Sequence, residues 1–178
     1  MNKKIVAFGA SNSRHSINKQ FANYTATQVE GARVNLIDLN DYEMPIYSID
    51  RQNETGIPEE AHAFLNAIRD ADGIVISFAE HNGAYTVAFK NIFDWASRAE
   101  KNVWMNKPMF LLATAPGKGG GKMVLEIAAK KFSYMSSNKV MRFSLPEFSE
   151  NFDDKKGIVN KELKMLFENE LDEFVKAL

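Results

Sequence analysis

Three serines near the amino terminus, Ser11, Ser13 and Ser16, are the residues best suited to chemistry in this sequence. They follow a short apolar run typical of a buried strand and precede a pattern typical of an amphipathic helix. The first turn of a helix presents free backbone N–H groups and the positive end of the helix dipole, which favour an anion. Because this turn adds hydroxyl donors, the charge of Arg14 and no carboxylate, it is predicted to hold a phosphate group. Capping of the helix by Ser16 alone is the alternative.

A second polar turn, residues 80–85, follows another continuous apolar run. Asn82 and Gly83 suit a tight turn in which the backbone approaches a ligand closely. His81 has two interpretations, because it could stack on a ring or donate a hydrogen bond, or it could simply lie at the surface. Glu80 is expected to be solvated or to cap the following helix, and not to take part in catalysis.

A glycine-rich turn, residues 116–121, follows a third apolar run. Its three consecutive glycines predict a flexible backbone that could lie over a flat ligand. A mobile loop without a ligand is the alternative interpretation.

The composition is that of an ordinary globular domain. A chain of 178 residues, 45% hydrophobic and 25% charged, is expected to form one well-packed domain over residues 1–178. The formal net charge of -1 gives no reason to expect nucleic acid or an anionic membrane as a partner. The chain has no cysteine, no metal-binding pattern among its histidines, and no apolar run long enough for a signal peptide or a membrane span. We therefore expect a cytoplasmic protein.

Apolar runs alternate with amphipathic patterns along the chain, which predicts an α/β fold. Alternation of this kind requires parallel strands with helices on both faces. Five strands at this length indicate a three-layer, doubly wound sheet of flavodoxin type in the order 2-1-3-4-5. The carboxyl ends of the strands share one edge of such a sheet, so the three turns are expected to converge there. The predicted strands are residues 4–9, 33–39, 73–78, 109–115 and 140–145, and the predicted irregular connections are residues 40–57 and 148–160.

In combination, these motifs resemble the NADPH-dependent FMN reductases, a flavodoxin-like family that includes quinone, chromate and azo-dye reductases. The resemblance extends from the first strand through the fourth helix. It rests on the serine-rich turn ending in Ile17 and Asn18, on residues 80–83, on the loop at residues 39–47 and on residues 89–95.

The resemblance implies a cofactor, FMN, and a set of residues that would hold it. The FMN phosphate would contact Ser11, Ser13, Ser16, Ile17 and Asn18. The isoalloxazine would lie along Glu80, His81, Asn82 and Gly83, with a third contact from Thr114, Pro116 and Gly117. This chain departs from the family at two positions, because many members carry an arginine where Ser13 stands and a tyrosine where His81 stands.

The same resemblance implies an activity and an assembly. NAD(P)H as co-substrate would pass a hydride to the flavin, which would then reduce a quinone-like or other small electron acceptor by a ping-pong mechanism. No protein side chain is required as a catalytic acid or base. A homodimer or homotetramer is expected, and Trp95 and Trp104 are candidates for the subunit contact, although core packing is favoured for residues 89–95.

Three other functions compete with this interpretation. A non-enzymatic FMN-binding electron carrier or sensor shares the fold. A serine esterase with Ser11 as nucleophile would need a histidine base, usually late in the chain, and none occurs in its second half. A dinucleotide-binding enzyme would use Asp38, but the first turn lacks the glycine pattern of that class, so Asp38 is expected to cap or turn the chain.

Overall fold

Five parallel strands form the central sheet of the computed structural model, which describes residues 3–136 and 138–178. The elements, in chain order, are β1 (Lys4–Ala10), α1 (Ile17–Thr27), β2 (Arg33–Leu36), α2 (Ile49–Thr55), α3 (Glu59–Arg69), β3 (Gly73–Phe78), β4 (Glu80–His81), β5 (Ala84–Tyr85), α4 (Val87–Ala99), β6 (Met109–Thr114), α5 (Lys122–Met135), β7 (Val140–Leu145), α6 (Phe148–Asn151), β8 (Phe152–Asp153), β9 (Gly157–Ile158) and α7 (Lys161–Ala177).

The strand order in the sheet is β2-β1-β3-β6-β7, with every neighbouring pair parallel. This is the order 2-1-3-4-5 predicted for the five main strands, and the flavodoxin-like fold class is confirmed. Strands β3 and β6 are buried along their whole length because helices cover both faces of the sheet. Their uninterrupted apolar sequences follow from that double burial.

Two hydrophobic cores, one on each face, make the structure three-layered. One core lies between the sheet and α1 and α7, and includes Phe21 and Phe167. The other lies between the sheet and α3, α4 and α5, and includes Phe64, Phe89 and Phe132. Within the described residues, no helix is long and apolar enough to cross a membrane.

The two connections predicted to be irregular contain short elements. After β2, which ends at Leu36 and is shorter than predicted, a 3-10 turn spans Leu39–Tyr42 and helix α2 follows. The Asp38 and Ser48 side chains start these elements by accepting hydrogen bonds from the amides of Asn40 and Arg51. The second connection contains α6 and the β8–β9 hairpin.

Both tryptophans lie in the protein interior. The exposed fraction of Trp95 is 1% and that of Trp104 is 0%. Trp104 packs on Phe132 with ring centroids 4.7 Å apart. The prediction that these rings line a subunit contact is therefore wrong. The apolar residues of the segment 89–95 pack in the core, which is the interpretation that their helical spacing favoured.

Close approach of α1 to β1 fixes the start of the first polar turn. A Cβ atom added to Gly9 would lie 2.4 Å from the backbone nitrogen and 2.7 Å from the Cα of Lys19. Those atoms belong to the helix backbone and cannot rotate away. Glycine is therefore required at this position for steric reasons.

The Gly9→Ala substitution is expected to lower the free energy of unfolding by about 3 kcal/mol, because the added methyl group forces β1 and α1 apart. Gly117→Ala is the matched control, since a Cβ at Gly117 meets nothing within 4 Å, and its effect is expected to stay below about 1 kcal/mol. Urea unfolding of both variants measures the difference. Equal stabilities for the two variants would contradict the steric argument.

Candidate functional site

The turn after β1 has the chemistry of an anion-binding site. Ser16 is the N-cap of α1, and its Oγ accepts a hydrogen bond from the Lys19 amide at 3.2 Å. The Oγ of Ser11 accepts from the Ser13 amide at 3.1 Å. Because both oxygens act as acceptors in these bonds, their hydroxyl protons are available to donate to a ligand. The first turn of α1 carries no acidic residue, so nothing there repels an anion.

Asn18, predicted to contact the phosphate, uses its side chain inside the protein. Its Nδ2 donates to the Thr114 carbonyl at 3.1 Å, and its Oδ1 accepts from the Ser77 hydroxyl at 2.7 Å and the Thr114 amide at 3.1 Å. The Thr114 hydroxyl likewise donates to the carbonyl of Leu145 at 2.7 Å. These contacts leave the backbone N–H groups of Ile17 and Asn18, at the start of α1, as the donors for a ligand.

The second turn is a two-residue hairpin formed by β4 and β5. Asn82 and Gly83 at its tip have φ angles of 52° and 75°. Positive values at both positions characterise a type I′ turn, which the Asn-Gly pair favours. His81 is exposed on β4. The hairpin therefore presents its tip backbone and an imidazole at the same edge as the first turn.

Thr86 connects the second turn to the first. Its hydroxyl donates to the Ala10 carbonyl at 2.9 Å and accepts from the Phe89 amide at 3.2 Å, so it also caps α4. Thr86 is almost completely buried. Sequence reasoning did not single it out, although a threonine three residues before a buried aromatic at a helix start is a capping signal.

Glu80 caps a helix, but a different one from that predicted. Its Oε2 accepts from the Val124 amide in the first turn of α5 at 3.0 Å, whereas α4 is capped by Thr86. The N-cap residue of α5 is Gly121, which has no side chain to accept a hydrogen bond. The carboxylate of Glu80, which lies on the hairpin, caps α5 in its place. This hydrogen bond joins the second turn to the helix that follows the third turn.

The third turn is fastened to the protein, which corrects the expectation of a flexible glycine-rich backbone. The Gly117 carbonyl accepts from the Glu147 amide and the Ala115 carbonyl from the Phe148 amide, both at 3.1 Å. The Ser144 hydroxyl donates to the carbonyl of Gly120 at 2.9 Å. Gly120 and Gly121 have φ angles of 58° and 70°, so these glycines supply left-handed backbone. Pro116 and Gly117 are exposed on the turn.

Asp38 and Lys19 form an ion pair beside the first turn. Burial opposes ionisation of Asp38, but hydrogen bonds from Lys19 and Asn40 outweigh it and hold the pKa of this carboxyl below its usual value. Asp38 also accepts from the amide of Asn40, which confirms the prediction that it caps or turns the chain. Its ion pair ties the end of β2 to α1.

The arrangement fits a flat ring that carries one phosphate. The first turn of α1 lies beside the hairpin tip and the third turn along the carboxyl edge of the sheet, where ligands of doubly wound folds bind. A serine esterase would need a histidine base beside Ser11, but His15, His62 and His81 are all exposed, whereas Ser11 is buried. Within residues 3–136 and 138–178, no cluster of three or more histidine, aspartate or glutamate side chains could hold a metal ion.

Comparison with known proteins decides the family. The family model described as NADPH-dependent FMN reductase matches residues 3–149. The chain belongs to the NADPH-dependent FMN reductase family. The resemblance predicted from the serine-rich turn and residues 80–83 is thus confirmed. The predictions of an oxidoreductase, of FMN as cofactor and of NAD(P)H as electron donor are also confirmed at the level of the family.

Several relatives of this chain carry names that state an activity. The chain is 35% identical to a 2-hydroxy-1,4-benzoquinone reductase from Burkholderia sp over 66% of its own length and 63% of the relative's. It is 34% identical to an NADPH:quinone oxidoreductase from Arabidopsis thaliana over 55% of its length, a match that spans only 48% of that enzyme. An uncharacterized protein of Mycoplasma pneumoniae is 30% identical over 78% of this chain and 84% of its own.

Solved structures support the fold. The flavoenzyme NAD(P)H:(acceptor) oxidoreductase from Paracoccus denitrificans superposes with a TM-score of 0.76 over 98% of this chain and 96% of its own, at 21% identity. An azoreductase from Bacillus anthracis superposes with a TM-score of 0.62 over 99% and 98%, at 18% identity.

The Glu80→Ala substitution is expected to lower the free energy of unfolding by about 1 kcal/mol, because α5 loses the side chain that caps it. Glu80→Gln keeps an acceptor oxygen and is expected to lose less than half of that. The matched control is Glu126→Ala, which removes an exposed glutamate from the same helix. Urea unfolding measures all three, and a Glu80→Ala variant as stable as the wild type would refute the capping role.

Proposed function

We propose that the protein is an NAD(P)H-dependent, FMN-containing oxidoreductase that reduces a quinone-like or other small electron acceptor. The observation that carries the proposal is the convergence of the anion site, the hairpin and the third turn on one edge of the sheet. Membership of the FMN reductase family and the quinone reductase names of two relatives support it.

The chain's own residues would bind and orient the cofactor. The hydroxyls of Ser11, Ser13 and Ser16, with the backbone N–H groups of Ile17 and Asn18, would hold its phosphate. The hairpin residues Glu80, His81, Asn82 and Gly83 would lie along its ring, chiefly through backbone groups, because Glu80 is engaged in capping. Thr114, Pro116 and Gly117 would close the third side, Thr114 through its backbone.

When bound, FMN would supply the two-electron redox chemistry that connects the nicotinamide to the acceptor. The protein contributes a fixed edge and backbone donors near Asn82 and Gly83 that would stabilise negative charge on the ring. The proposal extends to a homodimer or homotetramer in the cytoplasm, in which each subunit is one domain of residues 1–178. Light scattering measures the mass of the assembly, and the mass of a monomer would contradict this part of the proposal. The family resemblance supports this part of the proposal.

Replacement of both Ser11 and Ser16 by alanine is expected to weaken FMN binding by about 100-fold, because two hydrogen bonds to a charged phosphate are lost. Titration of FMN fluorescence against wild type and variant measures the dissociation constants. Ser48→Ala is the matched control, since Ser48 caps the separate helix α2, and its FMN affinity is expected to be unchanged. Absence of FMN binding by the wild type would overturn the proposed function.

Steady-state kinetics with NAD(P)H and 1,4-benzoquinone are expected to give parallel double-reciprocal lines, because nicotinamide product leaves before the acceptor binds. Intersecting lines would show a ternary complex and contradict the ping-pong order. Sustained NAD(P)H oxidation would also exclude a pure electron carrier. FMN binding without any such oxidation would instead favour the carrier or sensor.

A further inference from the structure

A groove of about 290 Å³ lies beside the candidate cofactor site. Asn12 from the first turn and His81 from the hairpin line one end of it, and Thr86 and Val87 at the start of α4 line its side. The opposite wall is the connection after β2, residues 39–46. The groove therefore opens on the same edge of the sheet as the predicted cofactor contacts.

The wall formed by residues 39–46 is held to α4 by hydrogen bonds. The Asn91 amide donates to the carbonyls of Met44 and Pro45 at 2.9 and 3.2 Å, and its oxygen accepts from the Tyr47 amide at 2.8 Å. The Trp95 indole N–H donates to the carbonyl of Pro45 at 2.8 Å. The groove is thus a built feature of the fold, and Trp95 reports directly on its wall.

The lining of the groove includes exposed apolar side chains beside its polar ones. Ile46 and Val87 both line it, and their exposed fractions are 66% and 69%. Side chains of this type favour a flat hydrocarbon ring over a small hydrated ion, because burying their surface releases ordered water.

Among the described residues, Glu43 is the only carboxylate that lines the groove. No lysine or arginine lines it within the described part of the chain, and the ion pairs described there do not include Glu43. The charge of Glu43 therefore acts on the groove without a cation in the lining to cancel it. This contrasts with the first turn, where no acidic residue opposes an anion.

We propose that this groove is the acceptor pocket, and that Glu43 makes it selective for uncharged ring-shaped acceptors over anionic ones. The inference rests on the proposed function and adds the class of acceptor and the residue that sets it. The balanced reaction is NAD(P)H, one proton and a quinone giving NAD(P)⁺ and a hydroquinone, so that two electrons and two protons reach the quinone. Glu43 takes no proton in this scheme and acts by its charge alone.

Glu43→Gln is expected to raise kcat/KM for 1,2-naphthoquinone-4-sulfonate about 3- to 5-fold, because a repulsion across several ångströms of partly hydrated groove disappears. The value for uncharged 1,4-benzoquinone is expected to stay within about twofold. Since screening shortens the Debye length to about 3 Å at 1 M salt, the gain is expected to vanish there. Glu30→Gln is the matched control, an exposed glutamate between α1 and β2, and it is expected to leave both values unchanged.

A binding measurement separates this proposal from the proposed function. Quenching of tryptophan fluorescence by each quinone, without nicotinamide, is expected to show tighter binding of the sulfonate to the Glu43→Gln variant than to wild type. If flavin binds and turnover occurs but Glu43→Gln changes neither selectivity nor quenching, only the acceptor-pocket proposal fails. If no flavin binds, the proposed function fails. The quenching experiment still tests the pocket in that case, because equal quenching of wild type and the Glu43→Gln variant would overturn the acceptor-pocket proposal and a difference between them would support it.

Discussion

The side-chain amide of Asn18 is the contact on which the carboxyl edge depends. One buried group joins α1 to β3 and β6 through three hydrogen bonds, so helix and sheet cannot shift without leaving donors and acceptors unpaired. Gly9 allows the helix to come close enough for these bonds to form. The first turn therefore has a fixed position relative to the third, as it must if both turns are to bind one ligand.

Around that contact, each turn of the edge is tied to another one. Thr86 links the hairpin side to the end of β1, Glu80 links the hairpin to α5, and the amide of Glu147 links the end of β7 to the third turn. These hydrogen bonds hold the edge together without a ligand, and preorganisation of this kind reduces the entropy lost on binding. The helices and strands supply the scaffold, and the polar side chains at their ends supply the alignment.

The sequence predicted the elements whose signals are local. The continuous apolar run at residues 73–78 predicted β3, and residues 140–145 were predicted as the strand that is β7, both with their observed bounds. The polar turns followed from the residues after each strand. The missed features depend on distant partners. Nothing near Glu80 shows that it caps a helix more than forty residues later, and nothing near Glu147 shows its left-handed backbone, with φ of 47°. The short helix α2 was not predicted, because about two turns of mostly polar residues carry no apolar periodicity.

Backbone atoms make most of the bonds that shape the third turn. The carbonyl of Gly117 accepts from the amides of Gly120 and Glu147, while residues 116–119 are all exposed and only Pro116 and Lys118 among them carry side chains. Because main-chain hydrogen bonds determine the conformation of this loop, its exposed side chains are open to substitution. Such a loop is a natural place for evolution, or for a directed library, to change which molecules are recognised while the scaffold stays intact.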